Sequence, residues 1–373
     1  MIGAVAALGP ASAQAALAQP LPVIVYAPCS ASALAADISA AVNGETLYLQ
    51  HGCTYELTGA LPDITVRLTI ASAGATLERS SESDFSILTV SGGGDLTLSN
   101  VSFRDGGGGG VDGGAINNSG TVSVHGGTFT GNSAEDYGGA IYNDGTMTVT
   151  AAHFAGNTAD SEYGGAIYND NVMTVTDCGF SHNSAEYGGA IYNDDASFAL
   201  TGSTFTENDA HEGGGLNLNF TGQVSGNEFS GNHADYGGGA YIDDTSTLTG
   251  DVFSGNTASD WGGAVYNDEP TTLSGVTVRG NRADYGGGIY NDDTLTVQHS
   301  LITNNDATTQ GGGIYNDEAT MTLDNSHVTG NDAAGGGGGI YNNAGTVTLN
   351  DSGVSVNTPD NCEPTGTIAG CTG

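Results

Sequence analysis

Residues 138–144 read GGAIYND, and most of the chain is that phrase returning. It recurs letter for letter at 164–170 and 188–194, and in looser copies at 262–268, 287–292, 312–317 and 338–343. The residue at its isoleucine position marks the phase: Ile116, Ile141, Ile167, Ile191, Leu216, Ala240, Val265, Ile289, Ile314 and Ile340. These ten marks lie 24 to 26 residues apart. A fixed period in this range signals a solenoid, in which each repeat buries its apolar side only against its neighbours.

One period, 144–170, holds three short runs. Residues 146–150 put Met147 and Val149 on one side and threonines on the other; 154–157 carry Phe154; 164–169 place Ile167 inward and Tyr168 outward. Three strands and three turns in one period make one rung of a parallel β-helix. Rungs stack about 4.8 Å apart, so ten of them form a rod on the order of 50 Å long. The expected fold is all-β: a right-handed parallel β-helix of about 25 residues per coil, three short strands per coil, with an N-terminal capping α-helix.

Stacking turns each repeat position into a column. Phe129, Phe154, Phe180, Phe205, Phe229 and Phe253, followed by Val278, Ile302 and Val328, are the only residues at their phase large enough to fill the middle. Three residues on stand Asn132, Asn157, Asn183, Asn208, Asn232, Asn256, Asn281, Asn305, Asn331 and Asn357. Asn tolerates unusual turn geometry, and stacked amides can hydrogen-bond from rung to rung, so this column is read as a structural ladder.

Alternating FxxN and GGA[ILV] motifs resemble the repeats of the chlamydial polymorphic outer-membrane proteins. They are also similar to those of bacterial secreted right-handed parallel β-helix proteins. The first motif stands at 129–132, 154–157, 180–183, 205–208, 229–232 and 253–256, the second at 113–116, 138–141, 164–167, 188–191 and 262–265. The resemblance covers about residues 100–357 and implies an adhesin or surface passenger, here expected without the autotransporter barrel that ends the chlamydial proteins.

Composition narrows the partners. Forty-two acidic residues face five basic ones, all arginine (Arg67, Arg79, Arg104, Arg279, Arg282), for a net charge of −37. Such a surface argues against nucleic acid and anionic membranes. It suits solubility, divalent cations or a salty medium. Glycine, at 62 of 373 residues, is about twice its ordinary share, and it sits in phase with the repeat.

Residues 1–20 read as a signal peptide: 2–8 are apolar, and Ala11-Ser12-Ala13 or Ala13-Gln14-Ala15 has the small-x-small cleavage form. No later stretch approaches the roughly 20 apolar residues of a membrane span. Secretion then suits disulfides. Cys29 and Cys53 bracket the amino-terminal cap, Cys362 and Cys371 close a short loop, and Cys178 is left alone. The expected division is 1–20 signal, 21–105 cap helix and first irregular coils, 106–357 regular array, and 358–373 disulfide-closed tail. In the cap, 32–42 reads as a helix with Leu34, Ile38 and Val42 on one side and Ser30 or Ser32 as N-cap.

Three faces bear on function. Tyr142, Tyr168, Tyr192, Tyr241, Tyr266, Tyr290, Tyr315 and Tyr341 form an outward aromatic strip; Tyr142, Tyr168, Tyr192, Tyr266, Tyr290 and Tyr315 are its candidate ligand residues. Tyr137, Tyr163, Tyr187, Tyr236, Trp261 and Tyr285 form a second. Beside them Asp144, Asp170, Asp194, Asp243, Asp268, Asp292 and Asp317 make an acidic column. Like charges about 5 Å apart cost near 1 kcal/mol per neighbour even in water, so the column is either splayed into solvent or bridged by a hard cation such as Ca²⁺. No cofactor is required, and Ca²⁺ has a place on these columns.

Catalysis has less to stand on. Many parallel β-helices cleave acidic polysaccharides, but that is fold analogy. The array holds only Arg279 and Arg282 as basic residues. Acid pairs such as Asp194-Asp195 and Asp292-Asp293 recur as Asp243-Asp244, Asp268-Glu269 and Asp317-Glu318, so they are the pattern and not a break in it. Thr146/Thr148, Thr294/Thr296, Thr320/Thr322 and Thr346/Thr348 suggest a flat ice-binding-like face, interrupted at Ala199 and 221–226. The expectation is a secreted, monomeric, non-catalytic adhesin-like or structural rod presenting Tyr/Asp faces to a cell surface, protein or polysaccharide. The alternative is a polysaccharide-degrading or carbohydrate-binding β-helix.

Overall fold

A computed structural model describes residues 23–195 and 197–371. The expected signal segment, 1–20, lies outside the described residues. Rung by rung the chain closes on itself as a parallel β-solenoid, built from sheets of 25, 12, 5 and 2 strands. Its register is that of the repeat: Ile141 pairs with Ile167, Tyr142 with Tyr168 and Asn143 with Asn169. No helix among the described residues is long and apolar enough to cross a membrane.

The coil has three sides, divided differently from the expected runs. Thr146–Thr150 and His153–Ala155 belong to one large sheet, bent between them where Ala151 takes a φ of 55°. The short side is Thr158–Ala159, after the ladder asparagine, and Ile167–Asn169 forms the third. The repeated GG pair makes this tight coil possible. Gly188 has a φ of 65°, a region L side chains rarely adopt. A Cβ on Gly189 would stand 2.3 Å from the Gly214 carbonyl oxygen of the next rung.

Inside, phenylalanines stack face to face. Centroids from Phe103 to Phe253 are 4.6–5.0 Å apart and adjacent rings lie within 12° of parallel. Each such pair contributes about 0.5–1.5 kcal/mol beyond burial. Phe103 extends the column one rung further than the repeat motif indicated.

The asparagine ladder is fully used. Asn208 Oδ1 accepts from the Asn183 backbone N–H (3.0 Å) and from Asn183 Nδ2 (2.9 Å). Its own Nδ2 donates to Asn232 Oδ1 (2.9 Å) and to the Phe180 carbonyl (3.2 Å). The pattern runs from Gly106, whose N–H donates to Asn132, to Asn357, whose amide donates to Asn361. A second buried amide ladder, absent from the sequence reading, uses the Asn of IYND: Asn118 to Asn143 to Asn169 to Asn193, and Asn267 to Asn291 to Asn316 to Asn342, at 2.6–2.8 Å. Leu218 and Ile242 fill its two middle rungs with apolar side chains, both fully buried.

A third polar column lies at the bend of the large sheet. Ser203 Oγ accepts from the Cys178 N–H, Asn227 Oδ1 from the Ser203 N–H, and Asp251 Oδ1 from the Asn227 N–H (2.8 Å). Cys178 is thus a ladder member, its thiol buried and pushed up to about 11 by that burial. Asp251 is fully buried, and its Oδ2 has no partner. On the preceding rung Asn227 Nδ2 donates to the Leu200 carbonyl; the register places the Val224 carbonyl in the same relation to Asp251. A carboxylate has no proton to offer there, and burial pushes Asp251 up to about 6.

The ends are closed as expected. A helix, Ala31–Ala40, lays Leu34 and Ile38 on the core, and Ser30 Oγ accepts from the Ala33 N–H. It stops two residues earlier than the periodicity suggests. Ala41 is already extended, the Val42 N–H turns to the Glu45 carboxylate (3.0 Å), and Val42 is exposed. Disulfides join Cys29 to Cys53 and Cys362 to Cys371. They fit an oxidising compartment.

Two stability outcomes follow. Asn208→Ala strands the buried Asn183 N–H and removes the side-chain donor from the Phe180 carbonyl, so it lowers unfolding free energy by roughly 1–3 kcal/mol in denaturant titration. Asp251→Asn supplies the missing donor. The wild-type carboxyl, with its folded pKa raised, is most favourable below about pH 4 and loses that contribution as pH rises through about 6. The variant is therefore more stable at pH 7, on the order of 2–3 kcal/mol, and the gain disappears near pH 4.

Candidate functional site

The face with the most chemistry is the one carrying both aromatic columns. In strands such as Ile167–Asn169 and Val265–Asn267 the flanking residues point inward, which turns the central tyrosine away from the core. These rings stack from rung to rung. Tyr142, Tyr168 and Tyr192 lie 5.6–5.7 Å apart, and Tyr241, Tyr266, Tyr290, Tyr315 and Tyr341 lie 4.8–5.2 Å apart.

The first strip is not open, however. Tyr168, Tyr192, Tyr266, Tyr290 and Tyr315 are 5–8% exposed, because the second column lies across them. Tyr137 tilts over Tyr168 at 4.7 Å, Tyr163 over Tyr192 at 4.6 Å, and Trp261 lies on Tyr290 at 5.3 Å. Outward from the coil does not mean outward to solvent. The sequence could not show this, since the covering residue stands five positions before its own rung's tyrosine, across a glycine turn, and reaches the tyrosine of the following rung.

The acidic column also finds partners. Tyr168 Oη donates to Asp194 (2.6 Å), Tyr241 to Asp268 (3.2 Å), Tyr266 to Asp292 (3.4 Å) and Tyr290 to Asp317 (2.5 Å). Asn219 and Asn343 amides donate to Asp194 and Asp317, each at 2.7 Å. Neutral donors from neighbouring rungs thus offset the like-charge cost, an arrangement between splaying and metal bridging. Repulsion remains: burial first, then Asp268 and Glu269, push Asp243 up to about 6, and burial with Asp194 and Asp144 raises Asp170. Among the described residues no group of three or more His, Cys, Asp or Glu is placed to hold a metal ion.

One rung breaks both aromatic columns. Glu212 pairs in register with Tyr187 and Tyr236, and Asn217 with Tyr192 and Tyr241. The space is shared by His211, edge-on to Tyr236 at 5.1 Å and hydrogen-bonded to Asp235 (2.8 Å), which holds Asp235 below the usual carboxylate range. Burial raises Glu212. The sequence signal was EGGGLNL, at 212–218, replacing the YGGAIYN phase.

The arginines considered for catalysis stand apart from these acids. Arg282 pairs with Asp306, and Arg279 lines a separate cavity with Ser254, Gly255, Gly280 and Asn304, which contains no carboxylate. In the threonine face, Ala199 does take the place of Thr174 on the next rung.

Among known families, the Chlamydia polymorphic membrane protein (Chlamydia_PMP) repeat matches at residues 126–144, 152–170, 180–194, 252–268 and 299–317. Each match ends on an aspartate of the acidic column, at Asp144, Asp170, Asp194, Asp268 and Asp317. The chain is therefore a parallel β-solenoid whose coils are similar, at these five places, to that repeat. No curated protein and no solved structure matches it.

Burial and the adjacent carboxylates raise every column tyrosine from Tyr142 to Tyr315, with Tyr142 and Tyr315 pushed up to about 12. In an ultraviolet titration most phenolate absorbance then appears well above the free-tyrosine value of about 10. Full ionisation near that value would mean that the strip is open to solvent.

Proposed function

We propose that the protein is a secreted, non-catalytic rod of the surface-adhesin kind, presenting its aromatic and acidic face to a cell surface, protein or polysaccharide. The observation that carries this reading is the face itself: two interlocked ring columns fringed by carboxylates, repeated at rung spacing along one side. Repetition suits an extended partner engaged at many weak contacts, where avidity does the work. Catalysis needs a local constellation instead. The Arg279 cavity lacks an acid, and Arg282 is already paired. The match to a repeat of polymorphic membrane proteins supports a surface setting, and the two disulfides support an extracytoplasmic one.

Calcium is not required by this reading, because tyrosine hydroxyls and asparagine amides already occupy aspartate oxygens. A Ca²⁺ arm nevertheless belongs in the test. Incubation of the protein with neutral and acidic polysaccharides and with fixed cells, with and without Ca²⁺, is expected to give co-sedimentation without new polymer chain ends. Newly formed ends on any polymer would replace the adhesive reading with an enzymatic one.

A further inference from the structure

The second aromatic column ends at Gln310, which takes the register position held by Trp261 and Tyr285 on the two preceding rungs. Around the missing ring lies a cavity of about 290 Å³ lined by Trp261, Tyr285, Tyr290, Gln310, Tyr315 and Asp317. That is near the lower end of ligand pockets, about 300–1,000 Å³, and fits a compact headgroup better than an extended chain.

The rings do not make a platform. Trp261 lies on Tyr290 at 17°, whereas Tyr285 meets Tyr315 edge-on at 80° with centroids 5.4 Å apart. A sugar ring needs one open aromatic plane. Tyr290 and Tyr315 are nearly buried, so the half-buried Trp261 and Tyr285 packed against them are the rings that border the cavity, and an aromatic face left open there favours a cation.

The charge points the same way. Asp317 brings a carboxylate to the cavity, positioned by two neutral donors, Tyr290 Oη and Asn343 Nδ2. Among the described residues, none of the Arg and His ion pairs involves it or any other acid of the column. With no lysine and five arginines against 42 acids, the chain leaves that countercharge to a partner.

We propose that this cavity is an aromatic cage for an organic ammonium group, which names the ligand chemistry of the adhesive face and rests on that reading. Sources as different as a choline headgroup and a lysine side chain share this chemistry, and the test separates them.

Trp261 is the chain's single tryptophan, so its fluorescence reports on this site alone. The full chain is titrated at constant ionic strength with choline, with Nα-acetyl-lysine amide, whose ε-ammonium is free, and with the uncharged carbon isostere of choline. Saturable change with at least one cation is expected, with the isostere about tenfold weaker or worse. The better cation identifies the source. Asp317→Asn is expected to weaken cation binding by about tenfold and leave the isostere unchanged, while Asp63→Asn, an exposed carboxylate outside the acidic column, leaves both unchanged. Equal binding of the isostere, or no saturable response to either cation, overturns the cage, and neither result depends on a variant folding. Polymer or cell binding that persists after such a failure leaves the adhesive reading standing. Cation binding without any surface or polymer binding would sink the adhesive reading and keep the cage.

Discussion

Every feature of this molecule depends on a buried amide that bonds to its own copy one rung away. In an isolated coil, the turn after the phenylalanine would bury an N–H and a carbonyl without partners, which a packed interior does not tolerate. The ladder asparagine meets both needs at once, because an amide side chain carries a donor and an acceptor. Its oxygen takes the N–H of the preceding rung and its nitrogen reaches that rung's neighbouring carbonyl. Serine can span both groups, as Ser326 does by accepting from the Ser300 N–H and donating to the Val297 carbonyl, but its single proton leaves none for the next copy in the ladder. That is why this phase is the most regular in the sequence while its neighbours drift.

Once rungs are locked in register, chemistry comes in columns, and the column rule explains both the face and its breaks. Stacked phenols and stacked carboxylates are each unfavourable neighbours when ionised. Offset by one rung they become donor and acceptor, as in Tyr168 with Asp194 and Tyr290 with Asp317. A function that needs one special place must interrupt a column. Gln310 does so by leaving a cavity, and the His211–Asn217 rung does so by filling the space with polar groups. Asp251 shows what an interruption costs: a carboxylate where the ladder wants an amide, with one oxygen unpartnered.

The period was enough to read the coil, the phenylalanine core and the asparagine ladder, each resting on a residue type with one physical use at its phase. The disulfides were legible from cysteines placed at the two ends, and the capping helix from the spacing of Leu34 and Ile38. What stayed hidden lay between rungs. Tyr168 and Tyr192 looked like an open strip because alternation along one strand says nothing of what the next coil lays over it. The Asn143 and Asn169 ladder hid inside IYND, where a polar residue at an inward phase carries no hydrophobic signal. The bend at Ala151 merged two runs into one sheet, a geometry that hydrophobic periodicity does not encode. Val42 kept helical spacing but lost the helix to a local bond with Glu45.

Hydrogen exchange resolved to single amides tests the ladder most directly. The backbone N–H groups of Asn157, Asn183, Asn208, Asn232 and Asn256, each bonded to the next asparagine's Oδ1, should exchange among the slowest in the protein and at closely similar rates. Exchange at these amides as fast as in the exposed turns, with the strand cores still protected, would show that the sheets hold the rod together without the ladder and would contradict the account.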